Sequence, residues 1–205
     1  MKESKNLRVF YIFPLLYVVS VYLSPIFYFN SEEFPFLSYF MYAPFIFGVL
    51  NIIVSIKCCK SEYIDIMLNS VVLIKYSMIP FFVIGGILVF GSLLLSFIPV
   101  PFMIFFGPTM AFMECVIGWL ILALEAPYTI SYLCLSQKAG IRPKSMTILH
   151  SVCQFFFFLD VFDVMYLTLK ERKWKKLTIT LLVLMVVAVI LFFLLLLIGI
   201  LKLIF

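Results

Sequence analysis

The last 29 residues of the chain, Leu177 to Phe205, carry a single charge, at Lys202. That run constrains the fold more than any other feature. A helix rising 1.5 Å per residue needs ~20 apolar residues to cross a hydrocarbon core of ~30 Å. Strands of a membrane barrel would instead alternate over segments of ~10 residues, and the sequence contains none. In lipid the backbone finds no water, so its polar groups must be satisfied within each helix. The rest of the chain repeats the signal. Apolar residues make up 65% and charged residues 12%, against roughly 25% charged in a soluble domain. The expected fold is all-α: a multi-pass transmembrane helical bundle of about six helical regions, forming one integral membrane domain over residues 1–205.

The regions read in order are these. Arg8 to Phe29 is interrupted by Pro14 and Pro25, and Phe36 to Ile56 should kink at Pro44. A half-polar stretch, Ser61 to Met78, bends at Pro80 into the apolar run Phe81 to Phe97. Pro99 and Pro101 end that run. The next region runs from Gly107-Pro108 to Gln137 and should bend at Pro127. Met146 to Leu169 follows, and then the C-terminal run. On a helical wheel Glu62, Asp65, Asn69 and Tyr76 fall within about 60° of one another, with Lys75 off that face. Ser61 to Met78 therefore reads as lying along the interface or behind other helices. The first region is too long for a signal-peptide core and is followed by Asn30-Ser31-Glu32-Glu33 rather than a small-residue cleavage site. It reads as a retained signal-anchor.

Basic residues orient the chain. Lys2, Lys5 and Arg8 precede the first region, Lys57 and Lys60 follow the second, and Lys138, Arg142 and Lys144 lie in the link before Met146. The Asn30 to Pro35 and Pro99 to Pro108 connections have no basic residue. The alternation places the N-terminus in the cytoplasm. The link Lys170 to Lys176 then poses a problem, because its five basic residues would emerge outside if Met146 to Leu169 simply crossed. Either that segment re-enters or lies shallow, or Ser61 to Met78 crosses separately from Phe81 to Phe97. The first option leaves no basic loop outside and is preferred. Two aspartates in Met146 to Leu169 cost about 2.5–3.5 kcal/mol each on insertion, which its apolar residues only offset.

Ionisable groups inside apolar segments mark candidate sites, since they are rare and face the protein interior. Here they are Glu114, Glu125, His150, Asp160 and Asp163, with Gln154 and Lys75 as possible partners. Glu114 and Glu125, eleven apart, share one helical face. His150 and Gln154 form an i,i+4 pair and Asp160 and Asp163 an i,i+3 pair. Two close buried carboxylates resist joint ionisation, which is the arrangement of a proton relay or cation site. The plainer reading is a set of structural hydrogen bonds inside the bundle. Segment order matches Glu125 to His150 or Gln154. It brings Glu114 near Asp160 or Asp163 only if that segment crosses deeply, and otherwise leaves it Lys75.

No His-Glu-x-x-His, Gly-x-Ser-x-Gly, Walker or Cys-x-x-Cys motif occurs. With one histidine a catalytic zinc site is improbable on ligand count, so no catalytic residue, cofactor or metal is assigned. The five cysteines are odd in number, and Cys115, Cys134 and Cys153 lie in apolar runs, which argues against a disulfide framework. Cys58-Cys59 at a membrane edge reads as two small residues at a helix end rather than as an acylation site or thiol switch. Gly85-Gly86 and Gly91 permit close helix contact or a soft kink. Trp174 among basic residues reads as an interface anchor. The net charge of +5 has the same explanation and implies acidic headgroups rather than nucleic acid.

The run His150-Ser-Val-Cys-Gln154-Phe155, followed by Leu159-Asp160-Val161, resembles a pattern in small uncharacterised multi-pass membrane proteins of Gram-positive anaerobic bacteria. Ile74-Lys75 to Ile79-Pro80 resembles a second pattern there, and Glu114 falls where an acidic residue is usual. The resemblance covers Ile74 to Leu169 and implies a bacterial cytoplasmic-membrane location without an activity. The functional expectation is a non-enzymatic accessory protein or subunit, held in the lipid bilayer and acting on another membrane protein through helix contacts. The alternative is a small proton-coupled or cation transporter using the intramembrane carboxylates. An enzyme is the weakest reading.

Overall fold

Helix formation follows the apolar runs but ignores most of the prolines within them. The computed structural model describes residues 3–30, 32, 34–57 and 63–204. Among these are seven α-helices, one 3₁₀-helix and no strand. They are α1 (Glu3–Phe29), the 3₁₀-helix (Pro35–Tyr42), α2 (Ala43–Lys57), α3 (Ile64–Leu95), α4 (Met103–Lys138), α5 (Lys144–Cys153), α6 (Leu159–Lys170) and α7 (Lys175–Ile204). Five stretches are long and apolar enough to cross a membrane: Tyr11–Phe29, Pro35–Lys57, Ile64–Leu95, Met103–Lys138 and Lys175–Leu194. Cys58, Cys59, Glu33 and Glu62 lie outside the described residues.

Two of the prolines expected to bend their helices sit inside α-helices without ending them. Pro80 sits inside α3, which runs unbroken for 32 residues, or ~48 Å. A proline removes one helical hydrogen bond, but a chain in lipid has nothing better to do with the remaining backbone groups. Pro44 makes no kink within a helix either. It is the second residue of α2, where its missing N–H has no helical acceptor to lose. The turn at Pro99 and Pro101 does fall where expected, between α3 and α4.

Contacts divide the chain into two compact units, residues 1–164 and 165–205. In the first, α3 and α4 form a long antiparallel hairpin, with α1 and α2 packed on it and α5 on α4. The buried residues of α3 run from Met67 to Met78, and its distal part contributes none. The buried residues of α4 fall mostly between Ile121 and Ser136. One end of the hairpin is thus the core of the bundle, and the other presents apolar side chains outward. Tyr17 ties α1 to this core, donating to the Ile121 carbonyl at 2.8 Å. Tyr22 donates to the Ser77 carbonyl at 2.6 Å. The second unit contains the end of α6, the turn after it, and α7. Thr168 and Thr178 close that turn with hydroxyls 3.0 Å apart.

The link after α4 starts from a glycine in the left-handed region, Gly140 with φ +72°. The Ile141 N–H bonds the Ser136 carbonyl at 3.0 Å and the Gly140 N–H bonds that of Gln137 at 3.0 Å. This pair of bonds satisfies carbonyls that the helix end would leave open. A side chain at this φ crowds the next carbonyl. Gly140→Ala is therefore expected to lower unfolding free energy by about 1–2 kcal/mol. Steric trapping or denaturant titration in detergent measures it, and an unchanged midpoint would refute the strain.

Met146 to Leu169 is not one helix. Residues 154–158 interrupt it, and Phe158 adopts φ +67°, a conformation rare for a bulky residue. In a straight helix His150 and Asp163 would stand ~20 Å apart along the axis. Instead the His150 ring bonds the Asp163 carboxylate. The chain folds back on itself, and neither α5 at 10 residues nor α6 at 12 reaches across ~30 Å. The turn is bulky and apolar, with Phe155 to Phe158 all exposed. Trp119 of α4 partners the turn, donating to the Phe155 carbonyl at 3.2 Å. Phe157 meets Phe82 of α3 edge-on at 5.9 Å.

Candidate functional site

Three helices bring their charges to one point. Lys75 lies on the buried part of α3, Glu125 on that of α4, and Asp160 in the first turn of α6. The Lys75 Nζ donates to Asp160 Oδ2 at 2.8 Å and lies 3.2 Å from Glu125 Oε2. All three side chains are 1% exposed or less. The Glu125 contact with the ammonium is the longer and looser of the two.

One turn further along α6 a second cluster forms. Asp163 uses both carboxylate oxygens. One meets the His150 Nδ1, and the other accepts from Gln154 Nε2 at 2.7 Å. His150 lies in the last turn of α5. Arg142, buried in the preceding link, sits with its guanidinium 5.8 Å over the Tyr132 ring. It is close enough to act on Asp163.

Most of the residues singled out from sequence therefore converge, but with different partners than expected. Glu125 lies against Lys75, which also binds Asp160, and not against His150 or Gln154, which both serve Asp163. Segment order suggested the wrong pairing because it treated α5 and α6 as one rod. Once the segment folds back, His150 faces Asp163, and Asp160 is free to reach α3. Glu114 stands apart. It is half-buried, and both its oxygens accept from Ser92 of α3 at 3.1 Å. Lys75 is 17 residues from Ser92, ~25 Å along the helix, so it cannot serve both glutamates. Lys75 is the hub that sequence reading underrated. Its signal was present: no other Lys or Arg occurs between Lys60 and Lys138. Among the described residues no three His, Cys, Asp or Glu side chains gather in a metal-binding arrangement. Cys115, Cys134 and Cys153 are free thiols.

A family model described as a family of unknown function, DUF6652, matches residues 11–176. The chain belongs to DUF6652. No curated protein and no solved structure matches it. The family match is wider than the resemblance read over Ile74 to Leu169. It takes in the first two spans, both charged clusters and the fold-back, and it stops as α7 begins. The clusters thus lie wholly within the part of the DUF6652 chain that defines the family.

Proposed function

We propose that this DUF6652 protein is a non-enzymatic subunit or accessory factor of the cytoplasmic membrane, with its N-terminus in the cytoplasm, acting on a second membrane protein through helix contacts. The observation that carries the reading is how the intramembrane charges are used. Lys75 serves Glu125 and Asp160, Asp163 binds His150 and Gln154, and Glu114 takes Ser92. These groups hold the chain's own helices together. Meanwhile the distal half of the α3–α4 hairpin offers uncovered helix surface. At Gly85, Gly86 and Gly91 an added methyl would meet nothing within 4 Å. Small residues on an open face allow close backbone approach in lipid. Affinity purification in mild detergent tests the proposal. Co-purification of a stoichiometric membrane partner supports it, and a chain that stays alone and moves solute in liposomes overturns it. Proton-coupled or cation transport is the second reading, favoured by the excess of carboxylates over ammonium at Lys75.

The orientation rests on the fold-back and on the basic links together. A segment that returns to the side it entered from restores the positive-inside count for Lys170, Arg172, Lys173, Lys175 and Lys176. A cysteine replacing Lys173 is expected to resist membrane-impermeant maleimide in intact cells and to react after permeabilisation. Labelling in intact cells contradicts the orientation.

A further inference from the structure

We propose that the two clusters form one proton-binding chain, loaded at His150 and holding its proton inside the protein at Glu125. Transport need not follow from it, and the proposal does not depend on the helix-contact reading. It starts from charge balance. With His150 neutral, two cations, Lys75 and Arg142, face three carboxylates, Glu125, Asp160 and Asp163. A net buried charge is costly in surroundings this apolar. One added proton cancels it.

The geometry offers two places for that proton. His150 is one, on Asp163 and at the more accessible end, with 8% of its surface exposed. Glu125 is the other. Asp160 keeps the ammonium through a 2.8 Å hydrogen bond, whereas Glu125 has a looser 3.2 Å approach. Glu125 is therefore the carboxyl that gains most from becoming an acid. Asp163 and Asp160 stand one helical turn apart on α6, between the two positions. The wholly buried Gln154 Oε1 beside Asp163 accepts no hydrogen bond among the described residues and is an acceptor left open along the way. In the transfer His150 imidazolium returns to neutral imidazole, and the Glu125 carboxylate becomes a carboxylic acid. The bridging carboxylates end as they began.

Other titratable groups do not supply this proton. Tyr17 and Tyr22 of α1 and Tyr128 and Tyr132 of α4 are neutral donors near pH 7, as is Cys153 of α5. Arg142 keeps its charge throughout. Asp65 and Lys57 lie at the ends of α3 and α2.

Infrared difference spectroscopy of the full chain in lipid nanodiscs reads the carbonyl stretch of a protonated carboxyl directly. Wild type is expected to show one such band near neutral pH, growing as pH falls. Glu125→Gln removes the group, and Asp160→Asn removes the charge excess, so both are expected to lose the band. The second variant keeps the test usable if the first does not fold. His150→Gln should retain the band, but its shift on transfer to deuterium oxide should slow by at least about tenfold. A wild type with no band, a band surviving in either carboxyl variant, or an unchanged exchange rate in His150→Gln overturns the proposal.

Discussion

Replacing Lys75 with Met is expected to cost about 3–5 kcal/mol of unfolding free energy, the range found when one partner of a buried charge pair is removed. The loss comes from what remains behind. Lys75 holds Asp160 at 2.8 Å and Glu125 at 3.2 Å, and without it two carboxyls sit wholly buried with no cation between them. They must take up protons or rearrange, and either route costs free energy. The three residues come from α3, α4 and α6, so the change also loosens α6 from the hairpin. A triple variant, Lys75→Met with Glu125→Leu and Asp160→Leu, is expected to recover most of the loss, because apolar replacement of a whole buried charge group is often neutral or stabilising. Unfolding midpoints in detergent, compared across wild type, single and triple variants, decide the matter. A single variant within about 0.5 kcal/mol of wild type would place the lysine outside the interior.

The second large effect is expected at Gly107. This glycine of α4 lies against the start of the turn that closes the α3–α4 hairpin. A methyl there would sit 2.6 Å from the Ser92 carbonyl oxygen and also meet the Ser96 hydroxyl. The first obstacle is backbone, which cannot rotate away. Gly107→Ala is expected to destabilise by about 1–3 kcal/mol as the helices separate. It should also weaken the nearby bonds from Ser92 to Glu114. Gly86→Ala is the control. Nothing lies within 4 Å of the added methyl, so helix propensity alone acts and should stabilise by about 0.5–1 kcal/mol. The same substitution in two helices of one hairpin thus carries opposite signs. Equal effects at the two positions would refute the close approach at Gly107.

Run length alone made the five spans legible, because a membrane helix announces itself by composition before any contact is known. The fold-back of Met146 to Leu169 was legible for a different reason. Five basic residues after it and two aspartates within it both argued against a simple crossing. Its sharp turn was not, since no glycine or asparagine stands at Phe158 to mark a left-handed residue. Pro80 does not end α3, whose residues Met67 to Met78 are packed into the core just before it. The polar residues were identifiable one by one, as intramembrane charges always are. Their partners were not. Lys75 and Asp160 are 85 residues apart, and the helical wheel set Lys75 off the polar face because it weighed one helix without its neighbours. Long-range pairing depends on hairpin register, which periodicity does not encode.

The uneven burial of the α3–α4 hairpin bears on the thickness of the surrounding bilayer. Helices of 32 and 36 residues extend ~48 and ~54 Å, well beyond a hydrocarbon layer of ~30 Å. Phe97, Phe102 and Phe105 at the far end are 82%, 65% and 76% exposed. In a thin bilayer those rings reach the headgroups unless the hairpin tilts, and tilting must carry the packed end with it. A thicker, more ordered bilayer leaves less of the hairpin uncovered, and each ångström of mismatch relieved is worth a fraction of a kcal/mol. Reconstitution in lipids of increasing acyl length should raise the protein's unfolding temperature until the hairpin is covered.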